Sequence, residues 1–436
     1  MKQVTEEKVQ KPASPLSVRN FRLLWIGESI SLLGDQFYLI ALPWLVLQLT
    51  GSALALGTVL ALAGIPRALF MLVGGAFVDR FSPRRVMIVS NLSRLVLVAL
   101  LTALVLTNHV GLEMLYVFAL AFGLADAFYF PAQSAIVPQL LPEAQLQAGN
   151  VFVQGTAQLS LFLGPVLAGG LIALVGQSAR VGTPGTLGSG IAFGLDTLSF
   201  VASLICLYLI RVPGVTRPAG PQPDVIASIR EGFAYVWGRS LLRVLFLVIV
   251  AINFLVMGPL FVGIPVLAAT RLAAPRGAAA FGTIMSAFGG GALLGIILSN
   301  ALPPLKPGQL GVLLLFSTAF QGVAVALMPL FSSTLVIAVI ALLLGAANGY
   351  VKLIFFTWLQ KRIPQALMGR VMSLLMFSSI GLAPVSNALA GAILQINLNM
   401  LFVGGGLLMA ALSLLCILLP EARNMGTEPA VANQAA

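Results

Sequence analysis

Charged residues are scarce in this 436-residue chain: Asp, Glu, Lys and Arg together make up 8% of it, whereas 59% is hydrophobic. A protein with so little charge cannot cover a water-facing surface, so most of the chain is expected to lie in lipid. The apolar residues form continuous runs and not the alternating pattern of barrel strands. The composition therefore predicts an all-α membrane protein, because helices satisfy their own backbone groups in a bilayer.

Cysteine and histidine are nearly absent. Cys206 and Cys416 lie far apart in apolar runs, and His109 is the single histidine. This pattern predicts neither a disulfide framework nor a metal site. It also predicts no enzyme, since no serine, cysteine or acid constellation accompanies His109. A phosphate-binding glycine loop is missing from the sequence as well, so we expect no cofactor and no ATP hydrolysis.

The apolar runs predict twelve transmembrane helices, at roughly 20 residues per crossing. They fall into two groups of six on either side of a polar middle segment. The predicted parts are a cytoplasmic tail (1–20), a six-helix bundle (21–210), a cytoplasmic linker with an amphipathic helix (211–240), a second six-helix bundle (241–419) and a cytoplasmic tail (420–436).

In a membrane protein, the positions of the basic residues behind the net charge of +11 indicate which side of the membrane each loop faces. The charge is not interpreted as a sign of nucleic-acid binding. With a cytoplasmic N-terminus, eighteen of the 24 Lys and Arg residues fall on the inner side and three on the outer side, while Arg67, Arg94 and Lys352 fall within spans. This bias predicts that both termini face the cytoplasm.

The two groups of helices contain related sequences. GLADAF at Gly123–Phe128 aligns with GAANGY at Gly345–Tyr350, and Pro142 aligns with Pro364 at the same offset. Chance similarity among apolar helices is the alternative. A true repeat predicts two pseudo-symmetric halves with a substrate site between them at mid-membrane.

The segment GGAFVDRFSPRR joins the second and third predicted helices. Its Gly75, Asp79, Arg80 and Arg84 resemble the loop between helices two and three of the major facilitator superfamily. The resemblance implies that the acid and the arginines act as a cytoplasmic gate. We expect Arg94 to face the same loop network with Asp79.

Other stretches, among them PAQSAIVPQLLPEAQLQAGN and LDTLSF, look like the drug- and siderophore-exporting branch of that superfamily, of the macrolide-efflux and enterobactin-exporter type. On helix five, Gly155, Gly164, Pro165 and Gly169 are similar to the glycine-proline motif that the family links to antiport. The resemblance implies transport by alternating access of two six-helix halves.

Ionisable residues inside spans are costly and mark candidate functional sites. Asp35, Arg67 and Asp126 come from three helices and lie at similar depth, roughly 20 Å from the inner side at a 1.5 Å rise per residue. We expect the two acids to compete for Arg67, so that one of them holds a proton and couples its release to transport. A static Asp35 to Arg67 ion pair that only stabilises the bundle is the alternative.

Three further charged residues allow two interpretations each. Glu28, on the same face of helix one as Asp35, is either a proton relay or a water-exposed acid at the cavity mouth. Lys352 either snorkels or pairs with Glu28 across the halves. Asp196 is expected near the start of helix six as a polar anchor, with substrate binding as the other possibility.

A substrate cavity between the halves is expected to include aromatic and neutral polar side chains. Packing of the aromatic residues against other helices or lipid is the competing interpretation. The candidates for the cavity are Phe37, Tyr38, Phe128, Tyr129, Asn253, Asn348 and Lys352.

Taken together, the sequence predicts a proton-coupled exporter of drug-like or siderophore-like amphiphiles in the inner (plasma) membrane. Its expected partners are a small-molecule substrate, protons and the lipid bilayer, with no nucleic acid, and a monomer is expected. Two other functions stay open. One is a lipid carrier of the same fold, such as a lysophospholipid flippase, and the other is a membrane sensor or scaffold that transports nothing.

Overall fold

A computed structural model describes residues 14–80, 82–178, 185–211, 230, 233–234, 236–238, 240–272, 276–302, 309–362 and 381–418. Within these ranges every regular element is a helix. Eleven of the helices are long and apolar enough to cross a membrane, and Ala383–Ile396 is a shorter apolar helix that follows residues outside the described ranges. The predicted all-α membrane fold of twelve helices in two halves is confirmed.

We number the helices in chain order. The first lobe consists of α1 (Arg19–Thr50), α2 (Ala53–Arg80), α3 (Pro83–Leu106), α4 (Leu112–Leu140), α5 (Glu143–Ser178) and α6 (Leu187–Leu209). In the second lobe, α7 begins as Ser240–Gly258 and continues through a π turn, Pro259–Gly263, into Ile264–Arg271. It is followed by α8 (Gly277–Ala301), α9 (Gln309–Leu327), α10 (Thr334–Arg362), α11 (Ala383–Ile396) and α12 (Gly405–Ile417).

Local sequence sets the ends of the first helices. Gly51 ends α1 because it adopts a left-handed φ of 61° and donates its N–H to the carbonyl of Leu47 at 2.9 Å. Pro83 opens α3, where its fixed φ suits a first helical turn and its missing N–H costs nothing. These two turns set where α1 ends and where α3 begins, and α1 to α3 carry most of the charged residues described below.

The two lobes repeat the same helix packing. In the first lobe α1 packs against α5 and α6, α2 against α4, and α3 against α4 and α6. The second lobe has the corresponding pairs: α7 packs against α11 and α12, α8 against α10, and α9 against α10 and α12. Gly123 of α4 packs closely on the Ala63 carbonyl of α2, and Gly345 of α10 packs closely on the Phe288 carbonyl of α8. Gly123 and Gly345 were aligned from the sequence, so that repeat is also a repeat of packing.

The lobes meet where α2 crosses α11 and where α5 crosses α8. A Cβ on Gly57 would lie 2.9 Å from Gly391 Cα, and a Cβ on Gly169 would lie 2.9 Å from Gly282 Cα. Gly169 and Gly391 are separated by the same number of positions as Gly123 and Gly345, so the repeat relates the two crossings. Glycine at each crossing lets the two backbones touch.

Both crossings lie toward the end of the bundle formed by residues 51–52 and 108–111, which we call the closed end. Farther along α5, toward its first residue, a Cβ on Gly155 would have no atom within 4 Å, and Val151 is 66% exposed. At these two positions α5 therefore borders open space. We call that side of the molecule the open end.

The predicted division of the chain into tails, bundles and linker stays a prediction. Residues 1–13 of the first tail, the whole second tail and most of the linker lie outside the described ranges. Of the expected amphipathic helix, residues 230, 233–234 and 236–238 are described, and the rings of Phe233 and Trp237 stack with centroids 4.8 Å apart.

Candidate functional site

Four charged side chains of the first lobe form one ionic cluster: Asp35 of α1, Arg67 of α2, Arg94 of α3 and Asp126 of α4. Arg94 Nη2 lies 2.8 Å from Asp35 Oδ1 and 3.7 Å from Asp126 Oδ1. Asp126 Oδ2 in turn lies 3.2 Å from Arg67 Nε. The expected competition of the two acids for Arg67 needs correction, because the base that both carboxylates approach is Arg94.

Arg94 is held in place by aromatic rings. Its Cζ lies 5.4 Å from the ring centroid of Phe122, 4.8 Å from that of Tyr129 and 4.6 Å from that of Phe200. Its Nη1 donates to Asn91 Oδ1 at 3.3 Å. Such cation–π contacts are each worth about 0.5–2 kcal/mol, more when the cation is desolvated.

The expectation that Arg94 faces the cytoplasmic loop with Asp79 is wrong. Arg94 lies eleven residues beyond Pro83, the first residue of α3, and is therefore roughly 16 Å along the helix. Its side chain is 3% exposed. It belongs to the buried interior of the lobe.

Exposure changes steadily across the cluster. The side chain is 3% exposed at Arg94, 17% at Asp126, 25% at Asp35 and 44% at Arg67. The aromatic side of the cluster is closed, whereas the side of Arg67 is open. The carboxylates therefore lie between a fixed cation and an accessible surface.

Glu28 is buried, at 4% exposure, so its interpretation as a water-exposed acid at the cavity mouth is wrong. The Tyr129 hydroxyl donates to Glu28 Oε1, and Gln133 Nε2 donates to Glu28 Oε2 at 2.5 Å. Lys352 of α10 is exposed and takes part in none of the ion pairs among the described residues. The suggested pairing of Lys352 with Glu28 across the lobes is therefore not present in this structure.

Asp196 lies in the middle of α6, and its expected position as an anchor near the helix start is wrong. The helix begins at Leu187, which puts Asp196 more than two turns inside, where it is 0% exposed. Ser199 Oγ donates to the Asp196 carbonyl oxygen at 2.7 Å and lies 3.3 Å from Asp196 Oδ1.

The predicted cytoplasmic gate is described only in part. The side chains of Gly75, Asp79 and Arg80 lie outside the described part of the chain, so their gating role stays a prediction. Arg84 donates from Nε and Nη2 to two carbonyl oxygens in the last turn of α6, at 2.8 and 2.7 Å. Since these carbonyls have no helical partner, Arg84 caps α6 within its own lobe.

The residues of the expected antiport motif on α5 contact different neighbours. Gly164 packs against the Gln36 side chain of α1, and Gly169 packs against α8 of the other lobe. The Pro165 carbonyl lies against Gly282 of α8. Gly155 lies on the open side. The motif therefore spans contacts within and between the lobes, while its part in antiport stays a prediction.

Two of the predicted cavity residues are buried inside the first lobe. Tyr38 is 6% exposed and stacks on Phe122 with ring centroids 4.4 Å apart, and Tyr129 lies between Arg94 and Glu28. The prediction that Tyr38 and Tyr129 line the substrate cavity is therefore wrong, because both rings pack inside the lobe.

The other five cavity candidates keep their predicted role untested. Phe37 and Asn253 are half-buried, and Lys352 is exposed. The Phe128 ring lies 6.3 Å from that of Phe70 of α2. Asn348 Nδ2 donates to Gln321 of α9 at 3.4 Å.

Sequence reasoning missed the uncharged residues that contact Arg94 or Glu28: Asn91, Phe122, Gln133 and Phe200. Polar spacing could have found one of them, because Asn91 and Arg94 are three residues apart on α3 and so share a face. The aromatic residues carry no such signal in a chain rich in apolar residues. Among the described residues, no group of His, Cys, Asp and Glu is arranged to hold a metal ion.

Most of the chain matches a family of known proteins. Residues 24–386 match the family model described as the Major Facilitator Superfamily. The chain belongs to that superfamily. Its members are transporters that bind small-molecule substrates, and this chain is a multi-pass membrane protein of that family.

The chain is also similar to individual exporters over nearly its whole length. It is 27% identical to the multidrug efflux pump Tap of Mycolicibacterium fortuitum, over 90% of this chain and 93% of Tap. It is 24% identical to macrolide efflux protein A of Streptococcus pyogenes (93% and 97% covered) and to the enterobactin exporter EntS of Escherichia coli (94% and 94% covered). The predicted resemblance to this branch is confirmed.

Solved structures show the same fold. The crystal structure of the nucleoside transporter NupG matches with a TM-score of 0.68 at 12% identity and covers 91% of this chain and 96% of NupG. At 12% identity, this match is evidence for the fold alone.

Proposed function

We propose that this protein is a secondary active transporter that exports drug-like or siderophore-like amphiphiles in exchange for protons, by alternating access of its two lobes. The observation that carries the proposal is the shared cation: Asp35 and Asp126 both approach Arg94 inside a membrane-embedded lobe. The names of the three related exporters support the substrate class and the direction of transport.

The balance of charge in the first lobe supports proton binding. Among the described residues, its buried positions and ion pairs contain the four carboxyl groups of Glu28, Asp35, Asp126 and Asp196 and the two guanidinium groups of Arg67 and Arg94. An uncompensated carboxylate is costly in a poorly hydrated interior, and bound protons are the simplest means of neutralising the excess. The lobe therefore has the capacity to take up and release protons.

Proton exchange in the cluster offers a way to drive the lobes. A proton on Asp35 or Asp126 removes one of the two attractions on Arg94, and Asp126 also holds Arg67 of α2. Helix α2 forms the crossing with α11 that joins the lobes. Protonation thus biases the equilibrium between two lobe arrangements through the helix that contacts both the cluster and the interface.

Glu28 extends the cluster along α1. It lies seven residues before Asp35 and on the same helical face, nearer to the open end. The Tyr129 side chain bridges the two sites, because its ring contacts Arg94 and its hydroxyl donates to Glu28. We assign Glu28 the role of a relay between the cluster and the open end.

The remaining parts of the proposal follow from the sequence. Both termini and the gate at Gly75, Asp79 and Arg80 face the cytoplasm, because most loop cations lie on that side. The protein acts as a monomer in the inner (plasma) membrane, without enzymatic activity, a cofactor or nucleic acid.

Transport into inside-out membrane vesicles tests the proposal, with radiolabelled erythromycin and ethidium as probes. Proton-coupled export predicts uptake of a probe that collapses when nigericin removes the pH gradient. Movement of labelled lysophospholipid that does not respond to nigericin would favour the lipid carrier instead. No flux of any probe from correctly folded protein would favour the sensor or scaffold.

A further inference from the structure

Among the buried polar atoms of the first lobe that have no hydrogen-bond partner in the described part of the chain, three are the Tyr38 hydroxyl, Arg94 Nε and Asp196 Oδ2. They come from α1, α3 and α6, and α6 packs against both of the other helices. The residues that carry them are 6%, 2% and 0% exposed. Bulk solvent therefore does not reach these atoms.

The side chains of Tyr38 and Arg94 both contact the face of α6 that carries Asp196. Phe193, Asp196 and Phe200 lie on one face of α6. Phe193 contacts the Tyr38 ring with centroids 5.8 Å apart, and Phe200 lies under the Arg94 guanidinium at 4.6 Å. Asp196 lies between these two contacts, and its carboxyl group reaches α1 over a glycine: a Cβ on Gly34 would be 2.8 Å from Asp196 Oδ1.

The atoms are also chemically complementary. Arg94 Nε can only donate a hydrogen bond, an ionised carboxylate oxygen can only accept one, and a tyrosine hydroxyl can do either. Buried polar groups that lack protein partners are usually bridged by ordered water, which needs two to four such partners. A small water cluster would satisfy all three atoms.

Among the described residues, no basic side chain forms an ion pair with Asp196. On α1 it faces Asp35, a like charge, and on α3 it faces Arg94, which already pairs with Asp35 and Asp126. Helix α5, the third neighbour of α6, carries no charged residue except Glu143 at its start. A proton is therefore the most accessible means of neutralising Asp196.

We propose that ordered water joins Tyr38, Arg94 and Asp196, and that Asp196 is a further proton-exchanging carboxyl group connected through this water to Asp35. The inference rests on the proposed proton coupling and extends it to a residue behind the cluster. It gives the first lobe a proton site that faces neither the cavity nor the lipid.

Infrared difference spectra of the purified full-length protein, recorded between high and low pH, test the inference without any transport assay. The Asp196→Asn variant is expected to lose one carbonyl-stretch component of a protonated carboxyl group. Ser199→Ala is the matched control: it removes a hydroxyl beside Asp196 but keeps the acid, so the component should shift in position and remain. Identical spectra for wild type and Asp196→Asn would overturn the assignment.

A second measurement uses the wild-type protein and so does not depend on the variant folding. A cryo-EM map that resolves water should contain density within hydrogen-bonding distance of Asp196 Oδ2, and a map of that quality without it would contradict the water site. The proposed export and this inference can fail separately. Vesicles without nigericin-sensitive flux would contradict the proposed export, whereas the infrared component would still show whether Asp196 exchanges a proton.

Discussion

Arg94 Nη2 on α3 donates to Asp35 Oδ1 on α1 at 2.8 Å, and three aromatic rings enclose the guanidinium behind this contact. The cation therefore cannot move freely toward either acid. Protonation is expected to change the charge of Asp35 and Asp126, while Arg94 keeps both its position and its positive charge. This relationship underlies the predictions for Arg94 and Tyr129.

Replacing Arg94 should be much more harmful than replacing Arg67. Arg94→Gln leaves Asp35 without its buried partner, a change that typically costs about 3–5 kcal/mol of stability. Arg67→Gln removes a cation whose side chain is 44% exposed, for which about 0–1 kcal/mol is expected. Thermal unfolding of both variants in the same detergent measures the difference. Equal losses of thermal stability would contradict the central place of Arg94.

Tyr129→Phe should impair coupling without disturbing the fold, because the ring over Arg94 stays and only the hydroxyl that donates to Glu28 is lost. We expect gradient-driven flux to fall about tenfold, which corresponds to about 1.4 kcal/mol in the rate-limiting step. In a Glu28→Gln protein, which already lacks the relay carboxyl, Tyr129→Phe should cause little further loss, since the interaction that it removes is already gone. Tyr208→Phe, at a residue that is 78% exposed, is the control. Fully additive losses would separate Tyr129 from Glu28.

Gly169→Val should push α5 and α8 apart at the closed end. Any Cβ there meets the Ala278 carbonyl and comes within 2.9 Å of Gly282 Cα, and backbone atoms cannot rotate away as a side chain can. Gly170→Val is the matched control, because a Cβ at that neighbouring position meets nothing within 4 Å. Spin-label distances between the closed ends of the two lobes should lengthen only in Gly169→Val. Unchanged distances in both variants would show that this crossing does not limit the approach of the lobes.

Arg84→Gln should lower stability modestly and leave the lobe arrangement unchanged. It removes two charge-assisted hydrogen bonds to the last turn of α6, each worth about 1.5–3 kcal/mol when fully buried and less at a half-buried side chain. Thermal unfolding and spin-label distances on the same samples measure the two effects. A large change of distance between the lobes would indicate that Arg84 belongs to the gate after all.

Much of the fold could be predicted from the sequence, because the membrane imposes it. Apolar runs near 20 residues mark the spans, and the aligned Gly123 and Gly345 marked a repeat that the structure places at equivalent helix contacts. That Asp35, Arg67 and Asp126 lie at a similar level of the bundle also followed from helical rise, since the level depends only on counting residues along a helix.

The pairing within the site could not be predicted in the same way. Which guanidinium faces which carboxylate depends on the rotation of each helix about its axis, and apolar spans with little amphipathic pattern do not reveal it. Arg94 was therefore assigned to the loop and Arg67 to the shared position, and the burial of Glu28 and Asp196 was missed. The uncharged residues that decided the outcome, such as Phe200 and Gln133, resemble many others in the chain.

The most direct test of the central claim is proton counterflow in proteoliposomes that contain a pH-sensitive dye. When an outward gradient of erythromycin or ethidium is imposed on wild-type protein, we predict proton movement in the opposite direction, and we predict its loss in Asp35→Asn and Arg94→Gln proteins that remain folded. Probe transport by the wild-type protein without any proton movement would contradict the account.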